Sequence, residues 1–225
     1  MAGQIAVSMM CADITKLNET IKTFEENKIE YLHIDVMDGC FVPNIQLGVD
    51  YIKQLRKCSK IPLDIHLMIE KPEDKLEWFD IQKDEMVSIH YESTNHVQRA
   101  LTVIKQKGAK AALALNPATP LIVLEDCLPD LDAVLLMTVN PGYAGQPLVV
   151  QTLDKIKRLR KQLDETGFKH IKIEADGNVS FENAKIMHEA GTEIFVAGSS
   201  SVFHKDMTLK EAITKLRENI TCSLQ

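Results

Sequence analysis

No apolar run in the chain approaches the ~18 residues that a membrane-spanning helix requires. The opening stretch, MAGQIAVSMMCAD, has no basic segment followed by a long apolar one, so neither a secretory leader nor a membrane partner is expected. The five cysteines, Cys11, Cys40, Cys58, Cys127 and Cys222, are odd in number and never stand as C-x-x-C. That argues against a disulfide framework or a zinc ribbon, and it points to a reducing, cytoplasmic compartment. Basic residues nowhere interleave with aromatics and the formal net charge is −6, so no nucleic-acid partner is expected. No linker rich in Pro, Gly or Ser and no low-complexity segment divides the chain, which predicts one domain over residues 1–225.

What is present is alternation. Apolar or β-branched runs at 5–8, 31–35, 62–67, 86–90, 110–115, 133–139, 170–176 and 193–198 are candidate strands. Helical spacing separates several of them. Ile14, Leu17, Ile21 and Phe24 follow a capping Asp13; Leu153, Ile156, Leu159 and Leu163 form a second stripe, and Leu209, Ile213, Leu216 and Ile220 a closing one. The basic residues Lys155, Lys157, Arg158, Arg160 and Lys161 share the second of these helices with its apolar stripe, and are expected on its solvated outer face. Eight such units without a seam predict an α/β fold, a single-domain (β/α)8 TIM barrel. A doubly wound sheet usually has a glycine-rich first turn, and here that turn reads SMMCAD.

In such a barrel the chemistry sits at the C-terminal ends of the strands. Those positions hold Ser8, His33, Asp35, Asp64, His66, His90, Glu92, Glu174 and Asp176. Residues i and i+2 of a strand share a face, so His33 and Asp35 can both point inward while Ile34 and Val36 pack outward against helices. A lone inward histidine is more often a satisfied core residue. Two histidines and two aspartates converging from three strands are costly to bury unpaired, by several kcal/mol. A divalent cation held by His33, Asp35, His66 and Asp176 would satisfy all four, and imidazole with carboxylate suits zinc, iron, manganese or cobalt. The alternative is an internal salt-bridge network. Asp38, just beyond the second strand, is expected to hold a loop or a ligand histidine. Asp64 lies deeper, in an inner layer, without an assigned role.

Three glycine-bearing loops follow the last strands: VNPGYAGQ (139–146), DGN (176–178) and AGSS (197–200). Backbone N–H groups in such loops bind phosphate, and barrels often place that site after strands seven and eight. A phosphorylated small molecule is therefore the expected ligand.

The stretches HIDVMDGCFVPN, LDIHLM, LNPATP, MTVNPGYAGQ and EADGNVS together resemble the ribulose-phosphate 3-epimerase family, in order and at the family's spacing, from Ser8 to about Ser200. The resemblance implies a metal-dependent isomerase that interconverts ketose phosphates epimeric at C3, foremost D-ribulose 5-phosphate and D-xylulose 5-phosphate. It implies one divalent ion on His33, Asp35, His66 and Asp176, with Asp35 and Asp176 as the catalytic base and acid on strands lying across the barrel from each other. Proton transfer would pass through a cis-enediolate stabilised by the metal. The implied substrate contacts are Ser8, His66, Gly142, Tyr143, Ala144, Gly145, Asp176, Gly177, Asn178, Gly198 and Ser199. Met37, Met68 and Met137 match methionines that surround the family's reacting centre, although methionine also fills irregular cores. Relatives form dimers and hexamers, so a homo-oligomer is expected.

The chain departs from the family's usual pattern at several positions. Cys40 stands where His is common, Ala144 where Gly is frequent and Asn178 where a second Gly follows DG, and no Pro precedes Ser8. Related allulose-6-phosphate 3-epimerases show similar changes, so allulose 6-phosphate with fructose 6-phosphate is the alternative substrate pair. A sugar-phosphate-binding barrel without turnover is the remaining reading, and a mere binder would not need two carboxylates placed for proton transfer.

Overall fold

Apolar runs buried on both faces pair side by side as parallel strands, as expected where helices cover a sheet. In the computed structural model, which describes residues 2–221, these are β1 (Gln4–Ser8), β2 (Tyr31–Asp38), β4 (Leu63–Met68), β5 (Met86–His90), β6 (Lys110–Leu115), β7 (Ala133–Met137), β8 (Lys172–Asp176) and β9 (Ile194–Ala197). β1 pairs with β9 on one side and β2 on the other, which closes the eight parallel strands into a barrel. The α/β barrel expected from the sequence is thus the fold. Cys222 lies outside the described residues. Among the described residues no helix is long and apolar enough to cross a membrane.

Alternation along each strand sorts side chains between two cores. Leu32, Ile34 and Val36 of β2, Leu63, Ile65 and Leu67 of β4, and Val134 and Leu136 of β7 join the large cluster between sheet and helices. Their neighbours face inward, where Leu135 and Met137 meet Ala114 and Val139, and Met37 meets Met68. Toward the N-terminal end of the barrel, Ala6, Tyr31, Met86, Ala112, Ala133, Ile194 and Val196 form a third apolar layer. The period of two therefore puts His33 and Asp35 inside, as the sequence predicts.

The helices are α1 (Leu17–Glu26), α2 (Val49–Cys58), α3 (Val97–Gln106), α4 (Gln151–Glu165), α5 (Phe181–Ala190) and α6 (Leu209–Asn219). Thr208 starts α6 with a capping box, its hydroxyl accepting from the Glu211 N–H while the Glu211 carboxylate accepts from the Thr208 N–H. Two connections have no α-helix. After β4 and after β6 the chain makes only short 3-10 turns, at Pro72–Asp74 and Leu76–Phe79 and at Leu121–Leu124 and Leu128–Asp130. Pro72, Pro117, Pro120 and Pro129 fall in these two segments. Each lacks a backbone donor and biases the preceding residue away from helix.

Several expectations shift. β2 runs three residues further than expected, through Asp38, because Met37 and Asp38 pair antiparallel with a two-residue strand, β3 (Ile45–Gln46), that the sequence pattern did not reveal. Strands β7, β8 and β9 are shorter than their apolar runs. Asp13 caps a 3-10 turn over Ile14–Lys16 rather than α1 itself, and Ile14 is 71% exposed, off the buried stripe of Ile21 and Phe24. Lys155 is not on the outer face of α4. It is 4% exposed, and its ammonium donates to the carbonyls of Asn116 (2.8 Å) and Pro117 (3.4 Å) at the end of β6. Arg160 also turns inward, to Glu193 at 3.1 Å, whereas Arg158 and Lys161 stay on the solvated face.

Candidate metal centre and substrate cavity

The parallel register of β2 and β4 sets Asp35 beside His66 and His33 beside Asp64. Asp176 ends β8, which is separated from β2 by β9 and β1 along one arc of the barrel. The two carboxylates thus approach from well-separated strands that are not diametrically opposed. Nε2 of His33 lies 3.3 Å from Asp35 Oδ1 and 3.9 Å from Asp176 Oδ2, and Nδ1 of His66 lies 3.4 Å from each of the same oxygens. Both histidines are fully buried.

Those two imidazole nitrogens have no partner in hydrogen-bonding geometry. Buried nitrogens left in that state cost about 1–3 kcal/mol each. They converge on two carboxylate oxygens, and all four atoms lie within 4.8 Å of one another. Imidazole and carboxylate together suit zinc, iron, manganese or cobalt. The donor set therefore fits a divalent cation, and the four residues are the set expected from the strand pattern.

The opposite edge of each ring is held. Nδ1 of His33 lies 2.5 Å from Asp64 Oδ2, and Nε2 of His66 lies 2.8 Å from Nε2 of His90. His90 continues to Glu92, whose Oε2 is 3.2 Å from its Nδ1. Asp64 and Glu174, both fully buried, form the layer beneath. Asp38 fastens a loop: it accepts from the N–H groups of Cys40, Phe41 and Glu70 and from the Lys75 ammonium. It makes none of these bonds to a ligand histidine.

Charge follows from this packing. Burial alone would raise the Asp35 carboxyl, but the imidazoles of His33 and His66 outweigh it and hold Asp35 well below its ordinary range. Burial would lower His33, yet Asp64 and Asp35 push it well above its ordinary value, and Asp176 and Asp35 similarly outweigh burial at His66. Burial, reinforced by the charge of Asp64, drives Glu174 far up. Burial also lowers His90 to about 4 against the opposing pull of Glu92, so its ring is neutral at physiological pH. Glu92 itself is held at about 2, because bonds from His90, Thr119 and the Asn116 N–H outweigh its desolvation.

Above the four donors a cavity opens at the C-terminal end of the strands. It is lined by Ser8, Asp35, Asp176 and the sulfur-bearing Met10, Cys11, Met37, Met68 and Met137, then by the loops carrying Gly142, Tyr143, Ala144, Gly145, Gly177, Asn178, Gly198 and Ser199. Ser8 donates to Asp35 Oδ2 at 2.9 Å. His66 is the one expected substrate contact that does not line the cavity; it lies behind the carboxylates. Met10, Cys11, Gln146 and Ser200 line it without having been singled out in the sequence. Each belongs to a stretch that was, so proximity to the strand ends was the available signal. Gln146 and Asn178 tie two of the loops together, the Asn178 side-chain amide donating to the Gln146 carbonyl at 2.6 Å. Gly177 has φ +116°, and a Cβ there would lie 2.9 Å from the Val139 backbone nitrogen. Only glycine fits that turn.

Comparison with known proteins follows the same lines. A family profile described as the ribulose-phosphate 3 epimerase family matches residues 4–203. Ribulose-phosphate 3-epimerase of Bacillus subtilis is 42% identical over 214 residues, covering 95% of this chain and 98% of that protein. The Escherichia coli K12 protein of the same name is 39% identical over 218 residues, covering 96% and 95%. Among solved structures, 3-hexulose-6-phosphate synthase from Salmonella typhimurium superposes with a TM-score of 0.69 over 96% of this chain and 98% of its own, at 12% identity, a likeness of fold alone. Identity near two residues in five over almost the full length of both proteins reflects common descent rather than shared architecture, and the chain belongs to the ribulose-phosphate 3-epimerase family of isomerases.

Proposed function

We propose that the protein is a metal-dependent epimerase of D-ribulose 5-phosphate and D-xylulose 5-phosphate, with Asp35 and Asp176 as its two proton-transfer groups. The observation that carries this reading is the convergence of four buried donor atoms, two of them on carboxylates that also face the cavity.

His33, Asp35, His66 and Asp176 would hold the cation, which supplies Lewis-acid stabilisation of the negative charge that develops when the proton beside the ketone leaves. The protein's own groups do the rest. Asp35 keeps Oδ1 toward the histidines while Oδ2 is held by Ser8, which fixes the carboxylate plane. One carboxylate takes the C3 proton and the other delivers a proton to the opposite face, and inversion needs two such groups on separate strands. With the ring protons of His33 and His66 replaced by a cation as the positive partner of Asp35, the burial of the carboxylate is what opposes that charge and favours its taking a proton. Met37, Met68 and Met137 surround the carboxylates with sulfur and methylene groups that exclude water. The glycine loops at 142–145, 177–178 and 198–199 offer backbone N–H groups to the phosphate.

The test is proton NMR in D2O of metal-reconstituted protein with ribulose 5-phosphate and allulose 6-phosphate in parallel. Deuterium entering C3 as epimer forms from ribulose 5-phosphate is the expected result. Exchange confined to allulose 6-phosphate would move the assignment to the six-carbon pair. No exchange in either, with metal shown to be bound, would withdraw the epimerase reading for these substrates.

A further inference from the structure

His33 and His66 turn opposite ring nitrogens toward Asp35 and Asp176, Nε2 from the first and Nδ1 from the second. For Nδ1 of His66 to present a lone pair there, the ring hydrogen must reside on Nε2. That Nε2 lies 2.8 Å from Nε2 of His90, and two facing nitrogens at this distance share one hydrogen between them. His90 must then accept at Nε2 and carry its own hydrogen on Nδ1. The neighbour of Nδ1 is Oε2 of Glu92, an atom that can only accept while the carboxyl is ionised.

The row thus has one internally consistent direction: His66 Nε2–H to His90 Nε2, and His90 Nδ1–H to Glu92. Its outer end is fixed by the loop after β6. The Asn116 N–H donates to Glu92 Oε1 at 2.8 Å and the Thr119 hydroxyl donates to the same oxygen, so Oε2 is the atom left for His90. The His90 ring is fully buried, with the Phe41 ring 4.7 Å away and the His66 ring 5.0 Å away, centroid to centroid.

We infer that Glu92 is a positioning residue which, acting through His90, fixes the ring hydrogen of His66 on Nε2 and thereby turns the Nδ1 lone pair of His66 toward Asp35 and Asp176. The inference rests on the reading of His66 as a metal ligand for the Nδ1 lone pair, because without metal the Asp176 and Asp35 carboxylates favour a hydrogen on that nitrogen; the hydrogens on His66 Nε2 and His90 Nδ1 are set from the Glu92 end with or without metal.

Glu92→Gln is the informative change. The backbone N–H of Asn116 and the hydroxyl of Thr119 still require an oxygen, so the new amide directs its NH2 at Nδ1 of His90. The row then reverses: His90 carries hydrogen on Nε2, and His66 must accept there and carry hydrogen on Nδ1. Long-range 1H–15N correlation spectra of metal-stripped, histidine-labelled protein read this directly. In the wild type, Nδ1 of His90 and Nε2 of His66 should appear as protonated nitrogens; in Glu92→Gln both should appear as unprotonated ones. Affinity for Zn2+ or Co2+, measured by competition with a chelator, should fall ~10- to 100-fold, as for other partners that orient a ligand histidine.

Unchanged histidine spectra in Glu92→Gln, or reversed spectra with metal affinity within twofold of wild type, would overturn the inference. His90→Phe gives an independent arm, since it removes the acceptor at His66 Nε2 without changing Glu92. It should weaken metal binding as well, and wild-type affinity in that variant would equally sink the proposal. Failure of the wild type to bind either metal would count against the metal reading alone, and the spectra would still decide the direction of the row.

Discussion

Asp64 holds His33 from beneath the site, Oδ2 lying 2.5 Å from Nδ1 with both side chains fully buried. The acceptor sits one layer below the four donors, so it acts on them from outside the cavity. With Nδ1 engaged, the Nε2 edge of His33 is the one turned to Asp35. Asp64→Leu removes the acceptor while keeping bulk, and metal affinity is expected to fall ~10- to 100-fold. Chelator competition measures it, and a dissociation constant within twofold of wild type would show that the His33 ring needs no such support.

Asp35→Asn and Asp176→Asn keep size and shape but cannot hold the transferred proton. Each should lower the rate of C3 deuterium exchange by about 10²- to 10⁴-fold, the usual range for loss of a general acid or base. Circular dichroism should show an intact barrel in both. Exchange at more than about a tenth of the wild-type rate in either variant would remove that residue from the proton path.

Much of this site was legible because barrel geometry turns sequence position into depth. His33 and Asp35 at i and i+2, and His66 and Asp176 at the ends of their strands, are interior once the eight runs are read as parallel strands. Contacts that depend on which loop meets which helix were not legible. Lys155 reads as one charge among five on an amphipathic helix, and only the position of the loop after β6 makes it a donor to two backbone carbonyls. Within the row from Glu92 to His66, His90 and Glu92 are two residues apart in the stretch HYE, but the link to His66 and the anchoring at Asn116 join residues 24 apart and no local pattern encodes them. The missing helices after β4 and β6 were foreshadowed by their prolines, whereas β3 depends on a two-residue pairing too short for any periodicity.

Lys155 also makes a prediction about pH. Burial lowers its ammonium to about 8. The folded pKa lies below the unfolded one, so between the two the unfolded chain binds more protons, and stability rises with pH across that window. Below it both states are protonated and the slope vanishes. Lys155→Met lacks the group. The stability of the wild type relative to Lys155→Met should therefore increase between about pH 8 and pH 10, by something on the order of 2 kcal/mol. Urea unfolding of both proteins across that range is the measurement, and a difference independent of pH would mean that the ammonium keeps its ordinary acidity despite its burial.

Ser199 tests the placement of the phosphate. It is exposed at the rim of the cavity, in the loop after β9 and near the turn at Gly177 and Asn178. Its replacement therefore does not disturb the core. Ser199→Glu sets a carboxylate where the phosphate oxygens are proposed to lie. Two like charges ~5 Å apart at a wet rim repel by about 1 kcal/mol. KM should accordingly rise about five- to tenfold, while kcat changes by less than about twofold, because the phosphate contact is the same in the ground and transition states. High salt should narrow the difference, since an exposed charge is screened over roughly 10 Å at 0.1 M and over far less at 1 M. A variant with unchanged KM would place the phosphate away from this loop. A fall in kcat alone would mean instead that Ser199 acts at the reacting carbon, which its position at the rim argues against.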